Sequence, residues 1–139
     1  MKKWLAFLGL ASVLTLMLYP GSSFTEDRDT VLLARAIYAM AGRQSYEAKL
    51  AAGSVAMNRV GNAWFGDNLS QVLNEQHQFP IGQRYDADSL AAAHEVLSGR
   101  RTLKDSVLYF HPADASEPWT IKPVRTVGGY SYYDRDGSL

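Results

Sequence analysis

The 139-residue chain has no cysteine. That excludes a disulfide framework, a thiolate zinc site and a thiol nucleophile together. It also has no charge excess, because fourteen basic and fourteen acidic side chains cancel and the pI is near 6.8. Nothing in that balance draws the protein to nucleic acid. No GxGxxG or P-loop pattern occurs, so a phosphate-cradling loop is missing. No serine sits in GxSxG, and His77, His94 and His111 match no ligand spacing such as HExxH. Neither a metal nor another cofactor is therefore expected. There is no internal repeat. The apolar stretch at residues 4–19 is shorter than the ~20 residues a membrane-spanning helix wants.

What remains is enough to fold. With 47% hydrophobic and 12% aromatic residues, the chain can close a core and is not a disordered sequence. Its length suits one domain. Lys2 and Lys3 precede the apolar stretch, and Pro20, Gly21, Ser22 and Ser23 follow it. A basic start, an apolar run and small residues describe a secretory signal peptide over 1–23, cut before Phe24; the alternative is an uncleaved anchor. Cleavage would leave twelve basic against fourteen acidic side chains, a net charge of −2. Residues 24–30 read as a charged lead-in and 31–139 as the folded domain.

The apolar spacing predicts a helix capped by Asp29 or Thr30, running through Leu33, Ala36, Ile37 and Met40 to a stop at Gly42. Ser45 can cap a second helix through Val55 and Ala56. Asn68 can cap a short one ending near Leu73. Asp86 or Asp88 begins another that closes at Gly99. Residues 74–85 read as irregular around Pro80 and Gly82. The pattern then changes, with a β-prone run at 107–110 and weak alternation at 124–133 around Gly128 and Gly129. The fold class is α+β with a helical majority and a small β element near the C-terminus.

Tyr109, Phe110, Trp119, Tyr130, Tyr132 and Tyr133 crowd the last third of the chain. They either fill a small core or wall a cleft whose rings stack on flat ligands such as sugars. Most carboxylates are surface charges. Glycoside cleavage, however, needs at least one carboxylic acid to protonate the leaving oxygen.

Residues 33–41 (LARAIYAMA), Tyr46-Glu47, Asn58-Arg59-Val60, Gly99, residues 108–112 (LYFHP), Trp119 and residues 127–130 (VGGY) together resemble the SleB/CwlJ-type cell wall hydrolases. That family includes the spore cortex-lytic enzymes. The resemblance runs in the family's order from about Val31 to Asp134. It implies a compact lysozyme-like domain of lytic transglycosylase type. Such a domain would cut peptidoglycan glycan strands between N-acetylmuramic acid and N-acetylglucosamine, without a metal.

The departures concern proton transfer. The family's YAEA motif carries the glutamate that acts as acid and then base, and here Met40 stands at that position. The acid of the family's GE pair falls on Gln44, and a histidine usual after VGG is Tyr130. Glu47 survives as the candidate catalytic acid, with Glu75 as another. On one continuous helix Glu47 would lie ~10 Å along the axis from Met40, but Gly42 and Ser45 break that helix. The resemblance marks Met40, Gln44, Tyr109, Phe110, Trp119 and Tyr130 as substrate-binding. Two readings follow: a hydrolase of reduced activity, or an inactive member that binds glycan or regulates an active relative or accessory protein. A third is a partner-binding module unrelated to cell walls. Peptidoglycan glycan strands are the expected partner outside the cytoplasm. Membrane contact arises only through an uncleaved signal segment.

Overall fold

The computed structural model describes residues 27–74 and 79–138. The signal-peptide segment, Glu75 and His77 lie outside the described residues. Four helices, α1 (Arg28–Ala41), α2 (Tyr46–Arg59), α3 (Leu69–Asn74) and α4 (Ala87–Leu97), precede three short strands. The strands are β1 (Tyr109–Pro112), β2 (Arg125–Val127) and β3 (Tyr130–Tyr133). They form one antiparallel sheet of order β1-β3-β2. This is the α+β, mainly helical arrangement expected.

Helix starts follow side-chain chemistry. The Ala48 amide donates to Ser45 Oγ, the Ser89 amide to Asp86 Oδ1 and the Gln71 amide to Asn68 Oδ1, each satisfying an orphan N–H of a first turn. α1 begins earlier than its sequence suggests. Asp27 is its N-cap residue and uses no side-chain cap, while Asp29 sits in the first turn, where its charge faces the positive helix end.

α2 is the central element. It packs against α1, α3, α4 and β2, and every residue from Ala48 to Ala56 is buried. A helix buried all round must be built from small residues if its neighbours are to come close. A Cβ on Gly53 would stand 3.0 Å from Val96 Cγ2 and 3.1 Å from Ile37 Cδ1. Glycine there lets α1 and α4 close on both sides. Leu33, Ile37, Leu50, Val55 and Val96 are wholly buried around it, each contributing about 1.5–3 kcal/mol through removal from water.

One edge of α2 is polar, and it organises the second half of the molecule. Ser54 Oγ donates to Leu50 O (2.7 Å) and accepts from the Thr102 amide (3.0 Å). Asn58 Nδ2 donates to Lys104 O and Val107 O at 2.7 and 3.1 Å. Arg59 Nε donates to Leu108 O at 2.7 Å. These bonds explain why β1 starts at Tyr109 and not at Val107. The carbonyls of 107 and 108 are committed to the helix, so the ladder begins one residue beyond them. Pro112 is tolerated because β1 is an edge strand.

The Arg59 guanidinium carbon lies 4.3 Å from the Phe65 ring centre, 4.8 Å from Phe110 and 5.6 Å from Phe79. A buried cation on three ring faces draws on their quadrupoles and on hydrogen bonds in fixed directions, which a lysine ammonium reproduces poorly. We expect Arg59→Lys to lower stability by about 1–3 kcal/mol, read as a shift in the urea midpoint. An unchanged midpoint would show that the ring cage and the Leu108 bond contribute nothing.

Candidate glycan-binding and catalytic site

α1 and α2 are separated by a tight turn over residues 42–45, closed by the Gln44 amide on Ala41 O at 3.0 Å. The turn is clamped from below by Lys49, only 4% exposed, whose Nζ donates to Gln44 O (2.9 Å) and Gly42 O (3.3 Å). A cation just beyond the C-terminal end of α1 also meets the negative end of that helix. From above, the β2–β3 hairpin rests on the first turn of α2. Gly128 and Gly129, at φ +62° and +85°, make the two-residue turn, which demands positive φ at both positions. A Cβ on Gly128 would stand 2.3 Å from Ala48 Cβ and 3.4 Å from Gln44 Cβ. The hairpin tip therefore touches α2 at a place where only glycine fits.

The turn separates Met40 from Glu47, so the two lie on different helices. Met40, on the last turn of α1, is 6% exposed. Together with Gln44 it lines a surface recess of ≈ 350 Å³. Glu47 opens α2 with its side chain 55% exposed, and its Oε2 pairs with Arg125 Nη2 of β2 at 3.3 Å. Glu47 lines neither that recess nor the groove described next. Its neighbour Tyr46 donates its hydroxyl to Glu95 Oε2 on α4, and Glu95 also pairs with Arg100 at 2.8 Å. Partial burial first, then the bond to Glu95 and its charge, push the Tyr46 hydroxyl up from 10.0 to about 12. The Glu95 carboxyl is held below its ordinary value by the same bond and by Arg100.

Tyr109, Phe110 and Trp119 come together as the aromatic residues suggested, lining a groove of ≈ 460 Å³ with Arg59, Trp64 and Phe65. Their rings form a connected set. Phe65 meets Tyr109 edge-on at 5.9 Å, Phe110 meets Phe79 at 5.1 Å and Tyr130 at 5.8 Å, and Trp119 stacks on His111 at 4.9 Å. His111 Nε2 also lies 3.1 Å from Glu117 O, so this histidine positions the Trp119 loop. Tyr130 lines neither hollow. Its hydroxyl is raised by burial, and further by the charge of Asp114.

Two residues of this surface escape sequence reading. Trp64 is 84% exposed. It is presented by a compact loop in which the Gly61 amide bonds Gly66 O and the Trp64 amide bonds Asn62 Oδ1. The Trp-Phe pair between two glycines was the available signal. Lys49 had none beyond its place among alanines. Among the described residues, no three His, Asp or Glu side chains converge where they could hold a metal ion.

A helical body with one small sheet, glycine-closed helix contacts and an aromatic groove define a lysozyme-like domain. The fold matches the catalytic domain of the Bacillus cereus SleB protein with a TM-score of 0.68 at 22% identity, covering 81% of this chain and 99% of that one. It matches the catalytic domain of the germination-specific lytic transglycosylase SleB from Bacillus anthracis with a TM-score of 0.67, also at 22% identity, over 82% and 98% of the two chains. Residues 43–133 match the Cell Wall Hydrolase family, and the chain belongs to that family. The spore cortex-lytic enzyme of Halalkalibacterium halodurans is 31% identical over 100 residues, covering 68% of this chain and 30% of that protein. That of Bacillus subtilis is 30% identical over the same length, covering 68% and 33%. The chain thus spans about a third of the length of these relatives. The family match begins at Arg43, three residues after Met40.

Two stability measurements probe this scaffold. We expect Gly129→Ala, where no atom lies within 4 Å of the added methyl, to cost only the left-handed backbone penalty of about 1–2 kcal/mol. Gly128→Ala adds the collision with Ala48 and should cost about 1–3 kcal/mol more; equal costs would mean that the hairpin tip does not press on α2. For Tyr46, a raised hydroxyl favours the neutral ring in the folded state. The stability it provides is complete below pH 10 and is lost as the pH rises toward 12. Urea midpoints measured from pH 9 to 12 should fall less steeply in Tyr46→Phe, with buried Tyr132, also raised, leaving a residual slope.

Proposed function

We propose that this protein engages peptidoglycan glycan strands outside the cytoplasm, as a lytic transglycosylase-type domain whose bond-cleaving activity is much reduced. One observation carries the reading. Met40, buried against the floor of the recess, stands where the resemblance puts the proton-transferring glutamate, and a thioether has no proton to give. Gln44 beside it is equally unable. The apparatus for holding a strand is retained, namely the aromatic groove, the glycine hairpin and the clamped turn. Family membership and relatives named as cortex-lytic enzymes support the substrate class and the extracytoplasmic location. We assign residues 1–23 to export, 24–30 to a lead-in and 31–139 to the working domain.

In a transglycosylase, a positioned acid protonates the bridging oxygen. The same group then accepts a proton from the sugar hydroxyl that closes the anhydro ring. Glu47 is the carboxylate left near the turn to take that part. Its exposure and its bond to Arg125 put it at the rim, and a displacement of ~1 Å from the productive position already costs about a hundredfold in rate. The aromatic groove, in our assignment, holds sugar faces through Tyr109, Phe110 and Trp119, with Tyr130 packed behind Phe110, while Gln44 meets the strand at the recess over Met40.

A second reading follows from the same residue: glycan binding with no cleavage, in the service of an active relative. Purified protein incubated with sacculi, with products identified by mass spectrometry, separates the two. We expect anhydro-muropeptides at a low rate, abolished by Glu47→Gln. Release of products at the parent rate by Glu47→Gln would remove that residue from the chemistry. Met40→Glu should raise the rate at least about tenfold while an isosteric Met40→Gln does not, because only the carboxyl carries a transferable proton. If Met40→Glu folds and stays as slow as the parent, position 40 is not where the acid is missing.

A further inference from the structure

The recess over Met40 has a charge opposite to the one a catalytic carboxylate would leave there. Its lining includes Tyr38, Met40, Gln44 and two arginines, Arg43 and Arg84, and no acidic side chain. Arg43 belongs to the α1–α2 turn, while Arg84 comes from the segment that enters α4. Both are exposed, and neither has an ion-pair or hydrogen-bond partner among the described residues. A smaller hollow lined by Gly82 and Gln83 shares Tyr38 and Arg84, so the trough continues past the second arginine.

Two guanidinium groups facing one concavity repel each other until an anion sits between them. Their planar forks match a carboxylate better than any other common sugar substituent. We propose that this recess binds a carboxylate of peptidoglycan, so that the protein selects material whose carboxyl groups are free over material in which they are converted to amides. The inference rests on the peptidoglycan reading above and names the feature of the strand that is recognised. In peptidoglycan the free carboxylate comes from the stem peptide or, where an amidase has removed the stem, from the lactyl ether of muramic acid. A volume of ≈ 350 Å³ has room for the group together with the ring or residue that carries it.

The test uses the purified full-length chain in co-sedimentation with four preparations of sacculi: intact, stripped of stem peptides by an amidase, and each of these with its carboxyls converted to amides by carbodiimide and ammonia. We expect amidation to weaken binding about tenfold, the scale of one well-made charge-assisted contact. The Arg43→Gln/Arg84→Gln double variant should lose the same factor on intact sacculi and become indifferent to amidation. Arg84→Lys, which keeps the charge and loses the fork, should fall between. Binding retained on stripped sacculi assigns the lactyl carboxylate, and binding lost there assigns the stem peptide. Equal binding of the parent protein to native and amidated sacculi overturns the carboxylate proposal and leaves the peptidoglycan reading standing. Binding to none of the four overturns that reading itself.

Discussion

The structure depends on how one cation is held at the end of its central helix. Arg59 closes α2 with its guanidinium against the rings of Phe65, Phe79 and Phe110 and its Nε on Leu108 O. Those contacts come from four separate stretches of chain: the helix, the loop after it, the segment leading toward α4 and the first strand. A buried charge is expensive unless its directions are satisfied, so the site tolerates few alternative arrangements. Asn58 and Ser54 extend the same constraint along α2 by taking the backbone of residues 102–107. The sheet is thereby held to the helical body through side chains of a single helix edge.

Because the sheet is fixed this way, its hairpin reaches back over the first turn of α2 and meets it at Gly128. The opposite end of α2 is thus held between the hairpin above and Lys49 below. The turn that separates the two helices, and with it Gln44 and the approach to Met40, owes its shape to groups that take no part in proton transfer. That separation leaves the turn and the groove held by bonds in which the side chains of Met40 and Gln44 take no part. Met40 itself is buried and adds apolar contact to the core.

Much of this was legible in the residues. Ser45, Asn68 and Asp86 announce their helices because cap chemistry is local, and the paired glycines at 128 and 129 announce the hairpin because no other residue enters that turn without strain. The aromatic groove was half legible. Tyr109, Phe110 and Trp119 lie close in sequence, whereas Trp64 and Phe65 join them only through the tertiary position of the loop after α2. The first strand begins at Tyr109, two residues after the β-prone run opens at Val107, since nothing local says that a helix far back in the chain will claim the carbonyls of 107 and 108. Lys49 was illegible for the same reason. A lysine among alanines reads as a solvated face until the turn above it supplies two carbonyls.

The charge pattern of the site follows from these constraints. The recess over Met40 is bordered by Arg43 on the clamped turn and Arg84 on the segment entering α4. Glu47, which could have offset them, faces Arg125 on the sheet. Asp86, close along the chain from Arg84, caps α4 instead. Each nearby carboxylate is committed to holding an element in place, so the positive charge at the recess is left to act on whatever enters. With a thioether at its floor and two uncompensated arginines at its border, the recess is suited to hold an anionic group by charge rather than to deliver a proton.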